Sequence, residues 1–335
     1  MKRHREMESR RSGFALLVRL LIPALLLSCH AYGQVGSHDW SGATELYPGI
    51  KHAEVTVSSP RKMVINAMRM DTTTPYLRFY SSGRSSPWVL GATEVQREKT
   101  RDFMRESQAT DKKLVVAINA DFWNPWYPSE WDQETKVDVG GLAVSEGTLV
   151  SKGSDRPSLI FEKNGTISMA TTAQTYDSSN VQTAVSGFHF CLTEGAPLTG
   201  NDSLHPRTGT GLSQDSRYVY FTTIDGRQPD SGGSTTEELG TWLKYFGSYT
   251  GINMDGGGST TMAWWNPNTA DPDKCKLLNN PRGGGGGFTT ERCVGNSIGV
   301  YYVPRRSGSL LFLILAGVVA LTLAVVSLRR KKKSL

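Results

Sequence analysis

The sequence has no Gly-x-x-x-x-Gly-Lys loop, no His-Glu-x-x-His helix and no Gly-x-Ser-x-Gly elbow, so P-loop, zincin and α/β-hydrolase chemistry lack their residue sets. Only four cysteines occur in 335 residues. Their spacing is too wide for a zinc–thiolate site. Cys275 and Cys293 flank the glycine run 283–287, which predicts a disulfide closing an external loop, worth about 3 kcal/mol by loop entropy. Positive charge is scarce where a polyanion would need it. The chain carries +6 overall, but residues 1–33 supply +4 and residues 329–333 another +5, leaving −3 for the body. A mildly acidic body argues against a nucleic-acid partner, and the basic ends read as topology signals.

Those ends are legible. Lys2, Arg3, Arg5, Arg10 and Arg11 precede an apolar stretch from Phe14 to Leu27, the pattern of a signal peptide over 1–33 with cleavage after Ala31-Tyr32-Gly33. Leu26-Leu27-Ser28-Cys29 offers the alternative of a lipoprotein signal acylated at Cys29. Residues 310–328 carry no charge, long enough at about 1.5 Å per residue to cross one hydrocarbon core. Five cations follow, so the tail 329–335 is expected in the cytoplasm and the body outside. A sorting substrate whose tail is later removed is the alternative, but no Leu-Pro-x-Thr-Gly precedes this segment, which argues against a classical sortase. The expected organisation is a lead-in at 34–59, one large domain at 60–303, a linker at 304–309, a transmembrane helix and the basic tail. The implied location is the cell envelope or membrane.

Within the body, Leu114-Val115-Val116-Ala117-Ile118 reads as a strand buried on both faces and ends at Asn119-Ala120-Asp121. Trp126, Tyr127 and Trp131 follow in a loop suited to stacking on a sugar ring. Glu146-Gly147 and Asn164-Gly165 mark two hairpins. Tyr218 to Ile224 is a β-branched and aromatic strand running into Asp225-Gly226-Arg227. Ser234-x-x-Glu237 and Thr235-x-x-Glu238 are both capping-box patterns, Leu239, Trp242, Leu243 and Phe246 form one apolar stripe, and Gly247 supplies the stop. A short strand then delivers Asp255. Strand, helix, strand at this spacing predicts a crossover with parallel neighbours or near-neighbours. The expected fold class is therefore α+β: a mixed sheet with at least one parallel strand-helix-strand crossover and several hairpins.

Three aspartates, Asp121, Asp225 and Asp255, then sit just past strand ends that would share one rim, the edge where ligands bind such sheets. Arg207 and Arg227 lie near it, and guanidinium groups bind phosphate oxygens in pairs. Gly256, Gly257 and their neighbour Gly258 suggest a turn that exposes backbone N–H groups, with Ser259 and Thr260 as ligand-contacting hydroxyls. Carboxylates, arginines and an aromatic loop suggest a phosphorylated sugar, with one carboxylate acting at the anomeric carbon while arginine neutralises the leaving phosphate. Calcium on the acidic rim is a further reading, since hard oxygen ligands suit it. Otherwise no cofactor or metal is implied.

The ordered set Asn119-Ala120-Asp121-Phe122, Gly141-Leu142 with Gly147-Thr148-Leu149-Val150, Arg207-Thr208-x-x-Gly211, Asp225-Gly226-Arg227, Asn253-Met254-Asp255-Gly256-Gly257-Gly258-Ser259-Thr260-Thr261 and Arg292-x-x-x-Asn296 resembles the phosphodiester glycosidase family over roughly residues 60–303. The resemblance implies hydrolysis of a glycosidic bond to phosphate. It implies an N-acetylglucosamine-like sugar phosphodiester as substrate. It brings Asn119, Thr208, Arg292 and Asn296 into the binding set beside Arg207, Arg227 and the glycine turn. Two segments depart from the family pattern: Gly209-Thr210 replace Ala-Ile in the arginine motif, and Ala120-Asp121-Phe122-Trp123 replace Gly-Gly-Phe-Phe. The alternative from another class is a non-catalytic surface protein that binds glycans.

Overall fold

The computed structural model describes residues 36–125, 132–270, 274–284 and 290–304. The expected signal at 1–33, the transmembrane segment 310–328 and Trp126, Tyr127 and Trp131 lie outside the described residues. Among those described, no helix is long and apolar enough to cross a membrane.

Two sheets face each other across the main core. The larger has eight strands in the order Thr44–Tyr47, Ile50–Val57, Met63–Asp71, Tyr218–Ile224, Arg207–Leu212, Thr250–Asn253, His189–Thr193 and Ala196–Pro197. The smaller has five: Cys275–Leu277, Met262–Trp265, Leu114–Asn119, Ser297–Tyr302 and Leu77–Ser81. Ile50, Met68, Met70, Val219, Phe221 and Ile252 from the first meet Val116, Ile118, Met262, Ile298 and Val300 from the second. A third sheet, from Ala143–Ser145 to Val181–Ser186, closes one side, its Phe161 stacked on Phe79 at 4.1 Å.

The helix Thr236–Phe246 covers the outer face of the larger sheet. Of the two capping-box patterns the helix uses the second, with Thr235 and Glu238 bonded reciprocally, and Gly247 ends it at φ 112°. Leu239, Trp242, Leu243 and Phe246 pack on Met63, Ile65, Ala67 and Ile224. The helix Thr100–Ser107 covers the smaller sheet with Phe103 and Met104. Residues 44–57, expected in a lead-in, supply two strands of the larger sheet.

The strand pairing corrects the expected fold class. Every strand–strand pair described is antiparallel, so the protein is mainly antiparallel β and not α+β with a parallel crossover. Tyr218–Ile224 and Thr250–Asn253 point the same way, but Arg207–Leu212 is inserted between them and runs antiparallel to both. That strand reads Arg-Thr-Gly-Thr-Gly-Leu, a poor β signal by propensity. Its glycine at 211 serves close packing: a Cβ there would fall 2.0 Å from Ser248 Oγ, beyond the helix end.

The inner face of the larger sheet changes character along the strands. Cross-strand rows run Ile50/Met70/Val219, then His52/Met68/Phe221, then Glu54/Asn66/Thr223, then Thr56/Val64 with Asp225 beside them. Apolar rows make the core. The polar rows lie at the end where the strands deliver Asp225 and Asp255.

The three described cysteines are buried and free, so the expected Cys275–Cys293 bridge is not formed. Cys275 turns into the core beneath the helix Thr100–Ser107, 3.4 Å from Met104 Sδ.

Candidate active site

Asp121, Asp225 and Asp255 all follow strands that end at this polar rim, but each is held by different partners. Asp255 is nearest the glycine turn. Its backbone N–H is tied to Ala120 O across the two sheets at 2.9 Å. Oδ1 accepts from Gly256 N at 3.0 Å, and Oδ2 accepts a short hydrogen bond from Ser259 Oγ. Arg292 donates to the same Ser259 Oγ through Nε at 2.9 Å and Nη2 at 2.6 Å, and Nη2 stands 3.6 Å from Asp255 Oδ2. Arginine, serine and aspartate thus form one relay. Burial pushes the Asp255 carboxyl above the usual carboxylate range, opposed by Arg292 and the Ser259 donor. Arg292 is stacked over Trp123, its guanidinium carbon 5.1 Å from the ring centre.

The glycine turn differs from the expected anion nest. Gly257 N donates to Pro206 O at 2.8 Å and Ser259 N to Gly256 O at 3.1 Å, so these N–H groups are spent within the fold. What the turn supplies is room. Gly257 sits at φ +61°, where a Cβ would also come 3.1 Å from Arg227 Nη2. A Cβ on Gly258 would stand 3.0 Å from Arg292 Nη1. The turn therefore lies against two guanidinium groups, Arg227 at Gly257 and Arg292 at Gly258. Arg227 is itself in the left-handed region at φ 60°, which turns it away from Asp225 two residues earlier. It donates to His205 Nδ1 at 3.3 Å, and burial with the Arg227 charge holds that imidazole below its ordinary pKa.

Asp225 is buried beside an open-mouthed cavity of about 760 Å³. Its Oδ1 accepts from Asn279 Nδ2 and Asn280 N, both at 3.1 Å. Burial pushes its carboxyl up to about 6. Asn279 Nδ2 also donates to Thr260 O at 3.0 Å, joining the Asp225 loop to the end of the glycine turn. Sequence reasoning missed Asn279 and Asn280. Their signal is Asn-Asn-Pro-Arg, which by itself marks only a turn.

Several expected site residues are buried and bonded to neighbours within the fold. Asn119 is fully buried; its Nδ2 donates to Asp255 O at 2.6 Å, and its Oδ1 accepts from Thr208 Oγ1 at 2.8 Å and Thr261 N at 3.0 Å. It binds three strand ends together. Asp121 is equally buried, with Oδ1 taken by Ser186 N at 2.6 Å and Oδ2 by Asn296 Nδ2 at 2.7 Å. Burial raises its pKa well above the carboxylate range. Both oxygens are thus committed within the fold, and one of them positions the Asn296 side chain. Arg207 points its Nε and Nη2 at carbonyls of Ser234 and Ser203, at 3.1 and 2.9 Å. Thr260 is buried behind the turn. Among the described residues no group of three or more His, Cys, Asp or Glu gathers as metal ligands.

The arrangement presents two carboxyls of different surroundings, two arginines converging on a turn, and an acidic cavity beside them. No curated protein matches the sequence. Among solved structures, the chain is similar to the zebrafish N-acetylglucosamine-1-phosphodiester alpha-N-acetylglucosaminidase catalytic domain, auto-inhibited by its pro-peptide. That likeness has 16% identity and a TM-score of 0.56 over 78% of this chain and 87% of the other. It is also similar to a hypothetical protein from Synechocystis at 11% identity and TM-score 0.52, over 76% of this chain and 62% of that one. At such identities these matches speak for the fold alone. The family model described as phosphodiester glycosidase matches residues 112–301, which holds all three aspartates, the glycine turn and Arg292. The chain belongs to the phosphodiester glycosidase family and is a hydrolase of the glycosidase type.

Proposed function

We propose that this protein is an exported, membrane-anchored hydrolase that cleaves the bond between the anomeric carbon and phosphate in a sugar-1-phosphodiester of envelope or extracellular glycans, with an N-acetylglucosamine-like sugar. The observation that carries the chemistry is the Arg292–Ser259–Asp255 relay set against a glycine turn that also admits Arg227. Two guanidiniums suit a phosphodiester, whose leaving group is a phosphate monoester. Asp255 acts at the anomeric carbon, its charge supported by Ser259 and Arg292. Asp225, with a pKa near 6, supplies a proton to the departing oxygen. The C1–O bond breaks with its electron pair on the phosphate oxygen, water's hydroxyl joins C1, water's remaining proton replaces the one Asp225 gave, and the phosphate leaves against the arginines. The anchor and export reading rests on the uncharged segment 310–328 followed by five cations.

The full-length chain should release free sugar from a sugar-1-phosphodiester. Asp255→Asn should lower kcat/KM by about a thousandfold while the fold is kept. A wild-type rate in that variant removes Asp255 from the reaction.

A further inference from the structure

The lining of the cavity beside Asp225 is unlike that of the arginine side. Glu54, Asp225 and Asp230 bring carboxyls, Lys62 is its one cation, and Val57, Val64 and Leu278 bring apolar patches. Asn66 also lines it, at 1% exposure. The Asn66 amide is oriented by His52, whose Nε2 lies 2.9 Å from Asn66 Oδ1. Its Nδ2 is then left buried with no hydrogen-bond partner among the described residues. Thr223 Oγ1, opposite Asn66 on the neighbouring strand, is also buried without one. Unsatisfied buried donors are unfavourable, and a fold that keeps two in one row beside a cavity is completed by a ligand with acceptors. The carboxyls are not gathered closely enough to hold a metal. Their excess negative charge repels a phosphate.

We infer that this cavity is the subsite for the neutral pyranose ring of the substrate, with Asn66 and Glu54 reading its hydroxyls. The inference rests on the proposed sugar-phosphodiester activity. Charge divides the substrate: the phosphate lies over the glycine turn between Arg227 and Arg292, and the ring lies in the acidic cavity. The link Asp225-Gly226-Arg227 joins the two compartments, because Asp225 lines the cavity while the left-handed backbone at Arg227 sends its side chain to the turn. The scissile bond then falls at that link. The volume of about 760 Å³ is ample for a hexose, since ligand sites commonly span roughly 300–1,000 Å³. Alternating carboxyl, amide and apolar surface matches a ring with equatorial hydroxyls and C–H faces.

The test uses the full-length chain, Asn66→Ala and Glu54→Gln. Glu54 lies on an exposed stretch of strand, so its variant keeps the fold even if Asn66→Ala does not. The substrates are sugar-1-phosphodiesters differing in one ring hydroxyl, by epimer or deoxy analogue, and a second set differing only in the alcohol on the far side of the phosphate. Wild type should discriminate the ring analogues by about tenfold or more in kcat/KM. Each variant should raise KM for the preferred sugar about tenfold, reduce that discrimination to about twofold, and leave the alcohol preference and kcat nearly unchanged. Variants that retain ring discrimination, or that lose alcohol preference in its place, overturn the assignment. If wild type cleaves no phosphodiester, titration with free methyl pyranosides followed by NMR decides. Binding lost in Asn66→Ala upholds the subsite while the activity falls, and no binding to wild type overturns the subsite.

Discussion

Asp225→Asn should stabilise the protein at alkaline pH while disabling it. The carboxyl has an ordinary value of 3.8 and is pushed up to about 6 by burial, with Asp230 and Glu54 adding to the effect. Because the folded pKa is the higher one, the folded state binds more protons between about pH 4 and 6, and stability falls as pH rises through that window. Two units at about 1.4 kcal/mol each amount to roughly 3 kcal/mol of destabilisation above pH 6. An amide removes that charge. It also keeps the contacts of Oδ1 with Asn279 Nδ2 and Asn280 N at 3.1 Å, while the second contact of Asn280 N, with Oδ2 at 3.2 Å, is lost. Allowing for weaker acceptance by a neutral oxygen, about 1–3 kcal/mol should be recovered at pH 8, or roughly 3–9 °C in melting temperature for a domain of this size. At pH 4 the two proteins should melt alike. In the same samples kcat/KM should fall by about a hundredfold or more, because the proton donor is gone. The wild-type rate should decline as pH rises past about 6. Calorimetry at pH 4 and 8 with a hydrolysis assay decides the matter. A variant that melts lower than wild type at pH 8, or that keeps its rate, refutes both the burial argument and the acid role.

Ser259→Ala removes the donor on Asp255 Oδ2 and the bridge to Arg292. The Asp255 pKa should rise further, moving the acid limb of the kcat/KM profile to higher pH; an unmoved limb would take Asp255 out of that titration. Gly257→Ala forces a Cβ at φ +61° against Arg227. It should cost about 1–3 kcal/mol in urea unfolding and raise KM more than it lowers kcat, and an unchanged KM would free Arg227 from phosphate binding. Asn119→Ala leaves Thr208 Oγ1, Thr261 N and Asp255 O without their common partner, so unfolding free energy should drop by about 3 kcal/mol. Wild-type stability would place the joining of the strand ends elsewhere.

Features coded within a few residues were legible in the sequence. The capping box at Thr235, the stripe from Leu239 to Phe246 and the stop at Gly247 define a helix without reference to the rest of the chain. The hairpin turns at Glu146-Gly147 and Asn164-Gly165 are equally local. Strand order was not. Arg207–Leu212 looks like a loop by propensity and becomes a strand because its neighbours supply both ladders and a helix covers it. The same limit applies to the aspartates. Their place at strand ends can be read from the sequence, but the direction of each carboxyl depends on distant partners. Asp121 is spent on Ser186 and Asn296, while Asp225 answers to Asn279 and Asn280.

The glycine turn shows how fold and chemistry meet. Three glycines after a strand-end aspartate suggest a backbone cradle for an anion, yet the N–H groups of Gly257 and Ser259 are committed to Pro206 and Gly256. Donors already used cannot hold a phosphate. The absence of Cβ atoms lets Arg227 and Arg292 close on the turn, which places two charged forks where neutral amides were expected. Charged donors bind phosphate more strongly than amides do, and they can also stabilise charge that grows as the bond breaks. The cost is two like charges near each other, which lowers the Arg292 pKa alongside the larger effect of burial and is offset by Asp255. Negative charge that builds on the phosphate as the C1–O bond stretches, ahead of the proton from Asp225, relieves that repulsion more than the bound diester does. The turn therefore favours the departing phosphate over the bound diester, which is the difference that a catalyst of this cleavage requires.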